Sequence, residues 1–442
     1  MLNFLKKKKL FDQLIFNADF YRNQLADPNL QGKSIKALRK HFIAEGMPSG
    51  IAGSPIFDAS FYLEKNEDVK KSAGTNFQKV IDHFLSKGRF ENRRTSPHFD
   101  VNYYYNANPD LQKNIGRHYE ALYTHYMQHG RHEKRLCDPN ATPDSFMIEL
   151  TNSCNLHCIT CPREYKFGHE MDVGHMECSR LKRLLEEMLP LANSINLTGL
   201  GETFLYKNLP EVTDVITDYP KEVTTFLSTN AQTPNCLTMF EQIKGKVNLI
   251  QISIDGVKKT YERVRGKASF DLLTENVQKM AKMARETKTS LMFNVVAFPA
   301  NYQTLPDIVR LAQEVGVQHV HVNSRNLVTI PEVDLAEYNF YKTETFVETV
   351  DKAKDLARSL GIGFSTFENK GFCDLVYNHF YITWDGYLVP CCAKPFPKEL
   401  HFGNVFEGSL ATCISNYQAS GFRSAWDVGS VPQFCRRCHL LN

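Results

Sequence analysis

The fold of this chain is decided by one stretch: Glu149-Leu150-Thr151-Asn152-Ser153-Cys154-Asn155-Leu156-His157-Cys158-Ile159-Thr160-Cys161-Pro162. It begins within an apolar run, Met147 to Leu150, that has the length and composition of a buried strand. Cys154, Cys158 and Cys161 then follow, with three and two residues between them. The three thiols are therefore predicted to lie on a loop at the end of a strand.

Three cysteines at this spacing can place their thiolates on three irons of a [4Fe–4S] cube. The fourth iron then has no protein ligand, so it can bind a substrate or cofactor directly. Zinc is the alternative, because the same cysteines together with His157 would make a Cys3His site. The sequence that follows the cysteines favours the cluster.

From about residue 145, apolar β-rich runs alternate with helical ones, which is typical of a parallel sheet with crossover helices. The candidate strands are Met147 to Leu150, Ser194 to Thr198, Thr224 to Leu227, Leu249 to Ile254, Leu291 to Val296 and Val317 to Val322. The candidate helices are Ser179 to Met188, Phe270 to Glu286, Thr304 to Val315 and Thr343 to Leu360. Because a closed TIM barrel has eight such units, we expect an open, partial barrel with its active site at the carboxyl ends of the strands.

The composition is that of a folded chain with several domains. Its 442 residues are 42% apolar, which suffices for about three cores at roughly 150 residues each. The net charge of +3 is not concentrated in a basic or acidic half, so nucleic acid is not indicated as a partner. No apolar run approaches the roughly 20 residues of a membrane span, and the start of the chain is too polar for a signal peptide. We expect a soluble, cytoplasmic protein.

The first 140 residues contain a repeat of tyrosine, histidine and glycine. Its members are Tyr21, His41 and Gly46, then Tyr62, His83 and Gly88, then Tyr104, His125 and Gly130. Successive histidines are 42 residues apart. A period of about 40 residues indicates stacked helical units, here of two helices each, because one unit alone cannot bury its apolar face. We expect an all-α module of about three repeats that can bind another protein.

Regularly spaced histidines suggest a metal site, but we reject that interpretation, because a structural role explains the period without a ligand. We interpret each one as the end of a helix that precedes a glycine in the left-handed conformation. The histidine would interact with the helix dipole and pack against the next unit. The module loosely resembles short aromatic repeats found beside glycosyltransferase-like and surface-polysaccharide proteins.

A glycine-rich segment follows the second strand: Leu197-Thr198-Gly199-Leu200-Gly201-Glu202-Thr203. With the cysteine triplet, it resembles the radical S-adenosylmethionine (SAM) superfamily over about residues 145 to 325. The family's Gly-Gly-Glu-Pro segment receives the SAM ammonium, which implies that role for Gly201 and Glu202. Leu200 and Thr203 depart from the family pattern. So does Thr160, where relatives often carry an aromatic residue that contacts adenine.

The ends of the third and fourth strands carry polar residues. In the family, these positions contact the ribose and the carboxylate of SAM, which implies Ser228, Asn230 and Ser253 as cofactor contacts. Arg265 follows in a helical stretch and is implied as a bidentate partner of the SAM carboxylate. No substrate base can be assigned, although alternation places His319 and His321 on one face of the sixth strand.

The last part of the chain is identified by cysteine spacing. The chain has 12 cysteines, and their clustering indicates metal binding in a reducing compartment rather than disulfides. The tail resembles the SPASM or shorter twitch extension of radical SAM enzymes, which holds auxiliary iron–sulfur clusters. The resemblance implies a second, auxiliary [4Fe–4S] cluster on Cys373, Cys391, Cys435 and Cys438. Cys392 is an alternative to Cys391, and a closed zinc site is an alternative to the cluster.

These patterns together predict an α/β protein with four parts. Residues 1–140 form the repeat module, and residues 145–345 form the radical SAM domain, a partial (β/α)6 TIM-type barrel. Residues 346–368 are a linker helix and strand. Residues 369–442 are a small cysteine-rich α+β domain, in which Asp385-Gly386 predicts a hairpin.

The resemblance implies a radical SAM oxidoreductase, supplied with electrons by a donor such as flavodoxin or ferredoxin. Reductive cleavage of SAM would give a 5′-deoxyadenosyl radical that removes hydrogen from a substrate carbon. The second cluster would accept an electron, so net oxidation of a sugar- or cyclitol-type alcohol is the leading hypothesis, favoured by the helical repeats. One alternative is a maturase that modifies a ribosomally made peptide or protein. The other is a non-catalytic, zinc-stapled interaction protein.

Overall fold

The computed structural model describes residues 9–25, 27–106, 108–133, 135, 137–138, 143–367, 373, 375–427 and 430–441. The chain divides into two compact units, residues 1–141 and residues 142–442. The predicted start of the C-terminal domain at Asn369 lies outside the described residues. Among the described helices, none has the length and apolar composition that crossing a bilayer requires.

The first unit consists of three repeats with three helices each, rather than the two that we predicted. The helices are Ala18–Arg22, Pro28–Gln31 and Ile35–His41, then Ala59–Lys65, Glu67–Ala73 and Phe77–Ser86, then Val101–Asn106, Pro109–Asn114 and Tyr119–His125. The additional break falls at a proline in the first turn of the middle helix in two repeats and at Asn66 in the other. A proline lacks the N–H that would continue the preceding helix, so the chain starts a new one there.

Each repeat is held together by a hydrogen bond between its tyrosine and its histidine. The Tyr62 hydroxyl lies 3.1 Å from His83 Nδ1, and equivalent pairs join Tyr21 to His41 at 2.7 Å and Tyr104 to His125 at 2.8 Å. The three tyrosines are fully buried. The histidines therefore bond within their own repeat, and the predicted packing of each against the next unit is not their main contact.

The recurring glycine serves a different purpose from the one that we predicted. Gly46, Gly88 and Gly130 do not have a positive φ, so the left-handed conformation does not explain them. Instead, a Cβ atom at any of the three would overlap the hydroxyl of that repeat's tyrosine. The glycine is needed because the tyrosine oxygen lies directly on the backbone.

The second unit is built on one nine-stranded sheet. Its strands are β1 (Ser145–Ile148), β2 (Ser194–Asn196), β3 (Thr224–Thr229), β4 (Leu249–Ser253), β5 (Ser290–Ala297), β6 (His319–Ser324), β7 (Gly363–Thr366), β8 (His379–Ile382) and β9 (Leu388–Val389). The spatial order is β7-β6-β5-β4-β3-β2-β1-β8-β9. All neighbours are parallel except β8 and β9, which pair as the predicted antiparallel hairpin.

Helices connect the parallel strands, as the sequence predicts. They are Cys178–Met188, Leu209–Thr217, Cys236–Ile243, Lys258–Arg265, Phe270–Ala284, Leu305–Val315 and Glu344–Leu360, with Lys166–His169, Leu375–Asn378, Leu410–Ala419 and Phe422–Asp427 elsewhere in the unit. Strands β1 to β6 alternate between buried and more exposed positions; in β5, Phe293 and Val295 are buried and Asn294 between them is half-buried. The predicted α/β class with a parallel sheet is confirmed.

The pairing of β8 with β1 is a feature that the sequence did not predict. The two strands are parallel, so that Phe146 lies beside Phe380 and Ile148 beside Ile382. All four residues of β8 are buried. The C-terminal segment therefore continues the same sheet on the free edge of β1.

The glycine of the second repeat gives a test of the tyrosine contact. Replacing Gly88 by alanine should lower the free energy of unfolding by about 1–3 kcal/mol, the usual cost of overpacking. Hydrogen exchange of the helix Phe77–Ser86 in the full chain is the measurement. The double variant Gly88→Ala with Tyr62→Phe should lose less than the sum of the two single effects, because the overlapping oxygen is gone. Gly32→Ala, where a Cβ meets open space, is the control; equal losses at Gly32 and Gly88 would contradict the account.

The buried histidine of β8 gives a pH test. Burial lowers the pKa of His379 to about 4, whereas an unfolded histidine titrates near 6.5. The unfolded chain therefore takes up a proton first, and stability falls as pH decreases from about 6.5 towards 4, by up to roughly 3 kcal/mol. Urea unfolding of His379→Gln should lack this contribution, whereas replacement of the exposed His175 should keep it. Parallel pH curves for wild type and His379→Gln would rule out this origin.

Candidate active site

The predicted cofactor residues meet around one cavity of about 230 Å³ at the carboxyl ends of the strands. It is lined by all three residues of the cysteine triplet and by all six predicted cofactor contacts, Cys154, Cys158, Cys161, Gly201, Glu202, Ser228, Asn230, Ser253 and Arg265. Thr160, Asn294 and the loop from Thr198 to Leu200 complete the wall. The structure thus brings together residues that are widely separated in the sequence.

The cysteine loop is held in place by the end of the helix Lys258–Arg265. The amide of Ile159 donates to Val264 O at 3.0 Å, and the Cys158 thiol lies 3.4 Å from Arg265 O. Burial raises the pKa of Cys158 to about 12 and that of Cys161 to about 11. These thiols stay protonated at neutral pH until a metal replaces the proton, because only the thiolate is a good metal ligand.

The Glu202 carboxylate is fully engaged with the protein. One oxygen accepts from the Thr229 hydroxyl at 2.6 Å and from Phe204 N at 3.0 Å, and the other accepts from Asn230 N at 2.6 Å. Its exposed fraction is 2%, and burial raises its pKa. Glu202 therefore fixes the glycine-rich loop to the end of β3 while lining the cavity, and its contact with the SAM ammonium stays a prediction.

Glu149 is a site residue that the sequence analysis missed. Its carboxylate accepts from Leu200 N at 2.8 Å, from the Tyr381 hydroxyl at 2.9 Å and from Trp384 N at 3.3 Å. It is 2% exposed, and burial raises its pKa. One side chain after β1 thus connects the glycine-rich loop, β8 and the hairpin. The sequence signal was a charged residue inside the predicted strand Met147 to Leu150, which in the structure ends at Ile148.

Two glycines let this loop approach the first strand. A Cβ at Gly199 would overlap the side chain of Glu149, and a Cβ at Gly201 would overlap the carbonyl oxygens of Thr151 and Ser153. The amide of Glu202 donates to Ser153 O at 2.8 Å in the same place. The loop can occupy this position only without side chains at both glycines.

Arg265 is buried beside a carboxylate. Its Nη1 lies 2.8 Å from Asp255 Oδ2, and the side chains are 11% and 1% exposed. Asp255 also accepts from Val296 N at 2.8 Å. Among the described residues, Arg265 Nε has no hydrogen-bond partner although it is buried. Asp255 therefore orients Arg265 and leaves its Nε–H for a ligand such as a carboxylate.

The remaining predicted contacts are arranged along the strand ends. Asn230 Nδ2 donates to Asn155 Oδ1 at 2.8 Å and lies 4.0 Å from the Cys154 sulfur. The Ser228 hydroxyl donates to Gln251 Oε1 at 3.2 Å. Ser253 lines the cavity beside them. Three thiols, hydroxyls, an amide and a guanidinium with a free N–H fit a [4Fe–4S] cluster with SAM bound to it.

A chain of hydrogen bonds runs along β6 and β7 to this cavity. Ser365 Oγ lies 2.7 Å from His319 Nε2 and 2.7 Å from His321 Nδ1. His321 Nε2 lies 3.2 Å from Asn323 Oδ1, and Asn323 Nδ2 donates to Asn294 Oδ1 at 2.7 Å. Asn294 lines the cavity. The two histidines thus share one face of β6, as alternation predicts, and contact the cavity wall only through the asparagines.

The second set of cysteines meets at a separate, small apolar cavity of about 30 Å³. Cys373, Cys391, Cys435 and Cys438 line it, whereas Cys392 does not. Burial raises the pKa of Cys373 and of Cys435 to about 12. Four thiols around one dry space match the ligand number of a fully coordinated [4Fe–4S] cluster. The arrangement favours Cys391 over Cys392 as the fourth member.

The glycine-rich loop can be tested by adding one methyl group. Gly201→Ala should move the loop away from Thr151 and weaken SAM binding at least about tenfold, because the loop carries one wall of the cavity. Calorimetric titration of SAM into the anaerobically reconstituted chain measures this, and iron content reports whether the cysteine loop is intact. Gly408→Ala, at an exposed position without close neighbours, should bind SAM normally. Unchanged affinity in Gly201→Ala would contradict the assigned wall.

Two family models match the chain. Residues 148–312 match the radical SAM superfamily, and residues 373–439 match SPASM, an iron–sulfur cluster-binding domain. The first model includes the cysteine triplet and the cavity described above; the second includes the four cysteines of the apolar cavity. A [4Fe–4S] cluster, SAM and auxiliary iron–sulfur coordination follow from these two domains.

Two curated relatives are similar to this chain over about two thirds of its length. A tungsten-containing aldehyde ferredoxin oxidoreductase cofactor-modifying protein of Pyrococcus furiosus is 25% identical, over 66% of this chain and 86% of the relative. A PqqA peptide cyclase of Granulibacter bethesdensis is 23% identical, over 67% of this chain and 79% of the relative.

The fold is shared with SuiB of Streptococcus suis, solved with the precursor peptide SuiA. The TM-score is 0.52 at 15% identity, over 87% of this chain and 86% of that one. This likeness confirms the open, partial barrel that the sequence predicts. The chain carries a radical SAM domain followed by a SPASM iron–sulfur cluster-binding domain.

Proposed function

We propose that this chain is a radical SAM maturase that modifies a ribosomally made peptide or protein. The observation that carries the proposal is the match to a curated PqqA peptide cyclase along 67% of the chain. The fold shared with a protein solved in complex with its precursor peptide is compatible with it. This is the alternative of the sequence analysis, and it now has more support than oxidation of a sugar- or cyclitol-type alcohol.

The loose likeness of the repeats to surface-polysaccharide proteins was the main argument for a carbohydrate substrate. That likeness concerns residues 1–140 alone, whereas the peptide-modifying relative matches much of the catalytic region. The zinc-stapled, inert protein also loses support, because both cysteine sets fall within iron–sulfur family matches.

Different residues of the cavity would hold the cluster, the glycine-rich loop and SAM. Cys154, Cys158 and Cys161 would hold the cluster, which with SAM supplies the chemistry for removing a hydrogen atom from an unactivated carbon. Glu149 and Glu202 keep the glycine-rich loop against the cavity through backbone hydrogen bonds.

Arg265 would bind the SAM carboxylate with the donor that Asp255 leaves free. Ser228, Asn230 and Ser253 would contact the rest of SAM from the strand ends. These polar groups are already fixed in position, so they lose little freedom when SAM binds.

We assign the auxiliary cluster to Cys373, Cys391, Cys435 and Cys438. With four protein ligands, it has no open iron for a substrate, so electron transfer is its natural role. An electron accepted from the substrate makes the overall reaction an oxidation, which is the basis for proposing an oxidoreductase that draws on flavodoxin or ferredoxin.

We propose the domain bounds of the sequence analysis as functional parts: 1–140 for binding a protein or precursor, 145–345 for SAM, 346–368 as linker and 369–442 for the auxiliary cluster. The repeats suit protein binding because stacked helical units offer an extended surface.

Anaerobic purification tests the proposal. Wild type should contain about eight irons per chain and release 5′-deoxyadenosine from SAM under dithionite. Replacing Cys154, Cys158 and Cys161 by alanine should abolish that release and leave about four irons, while Cys178→Ala should change neither. Small peptides encoded beside the gene should lose two hydrogen atoms by mass spectrometry. Deoxyadenosine release by the triple variant would refute the cluster assignment, and modification of a sugar alcohol but no peptide would refute the substrate class.

A further inference from the structure

A second cavity of about 250 Å³ lies next to the cofactor cavity. Leu200 lines both of them, and so the two spaces share a wall in the glycine-rich loop. The other walls come from three segments, at residues 167–172, 383–387 and 395–401. Because Leu200 lines both cavities, a substrate side chain in this space would lie next to the SAM cavity.

Much of the surface of this cavity is aromatic. Phe167 and Phe396 are stacked with ring centroids 5.6 Å apart, and Trp384, Tyr387 and Met171 line the same space. The Trp384 ring packs closely on Gly174, where a Cβ would overlap it. Such walls suit a ligand with a long apolar stem, and their ring faces attract a cation.

The polar groups of this cavity are mostly negative. Among the described residues that line it, five carry a carboxylate and one carries an ammonium: Glu149, Glu170, Asp172, Asp385 and Glu399, with Lys398. Glu399 is neutralised by Lys394 at 3.2 Å, and the Lys398 ammonium donates to the carbonyl of Glu170 at 2.6 Å.

Four of the carboxylates lack a basic partner. Within the part of the chain that the structure describes, Glu149, Glu170, Asp172 and Asp385 form no ion pair, since the Lys398 ammonium contacts only the backbone carbonyl of Glu170. The Asp385 carboxylate accepts from the Thr383 hydroxyl at 2.5 Å, whereas three N–H and O–H donors already compensate the buried Glu149 carboxylate. The carboxylates of Glu170, Asp172 and Asp385 give the cavity a negative potential, which attracts a cation.

We propose that this cavity binds a lysine or arginine side chain of the peptide substrate. The proposal rests on the maturase function and specifies its substrate. The alkyl stem would pack on the aromatic wall that includes Trp384 and Phe167, and the charged head would be attracted by Asp172 and Asp385. Binding there places the neighbouring peptide backbone against Leu200, beside the SAM cavity.

Binding of short peptides to the reconstituted chain tests this without any turnover. Equilibrium dialysis would compare acetyl-Gly-Gly-Lys-Gly-Gly-amide with the same peptides carrying arginine, norleucine or glutamate. The lysine and arginine peptides should bind at least about tenfold more tightly than the norleucine peptide, since only they bring a positive charge to the same stem. Butylamine tests whether a free amine is recognised equally well, which would assign the site to small amines and overturn the peptide proposal.

Matched variants locate the preference. Asp172→Asn with Asp385→Asn keeps the shape and removes two charges, and it should reduce the preference for lysine over norleucine to less than about threefold. Glu314→Gln removes one exposed charge outside the cavity and should keep the preference. Equal binding of lysine and norleucine peptides by wild type, or an intact preference in the double variant, would overturn the proposal. The maturase function fails separately, if SAM is cleaved but no peptide is ever modified while the charge preference remains.

Discussion

The three hydrogen bonds of the Glu149 carboxylate are the constraint on which the active region depends. They join the loop after β2, strand β8 and the start of the hairpin to the end of β1. A charge with so little exposure costs several kcal/mol unless donors surround it. Here the donors are two backbone amides and one phenol, so the charge is compensated only while all three segments stay in place.

Two other buried carboxylates around the cavity also hold neighbouring segments in place through hydrogen bonds. Glu202 fastens the glycine-rich loop to β3, and Asp255 fastens Arg265 to β5 through Val296. Each of these carboxylates accepts hydrogen bonds from the protein and so holds a neighbouring segment in position. The glycines of the loop allow its close approach to the residues that follow β1.

Local spacing was enough to predict the parts of the site that are near each other in sequence. The cysteine triplet, the glycine-rich loop and the strand ends were found because strands of a parallel sheet bring their carboxyl ends together. Glu149 was missed because its partners come from β8 and the hairpin, a pairing that no local pattern encodes. The pairing of β8 with β1 was missed for a related reason: the four residues of β8 are all buried, so no alternation marks a face, and its partner strand lies more than 200 residues earlier in the chain. The spacing of the other cysteines fits Cys391 and Cys392 almost equally, so the sequence could not distinguish them. The structure favours Cys391, because it lines the apolar cavity.

The repeats were recognised by their period, but the reason for their glycine was not, because a glycine can be needed either for a turn or for a close contact.

The hydrogen bonds along β6 and β7 fix donor and acceptor roles that the sequence pattern does not reveal. Asn323 Nδ2 donates to Asn294, so Asn323 Oδ1 accepts a hydrogen bond from His321 Nε2–H. When both imidazoles are neutral, His321 Nδ1 then accepts from the Ser365 hydroxyl, whose oxygen accepts from His319 Nε2–H. Every member is thereby locked into a single tautomer or rotamer. The proton on His321 Nε2 therefore fixes the orientation of Asn323, and through it the orientation of the Asn294 amide that lines the cavity.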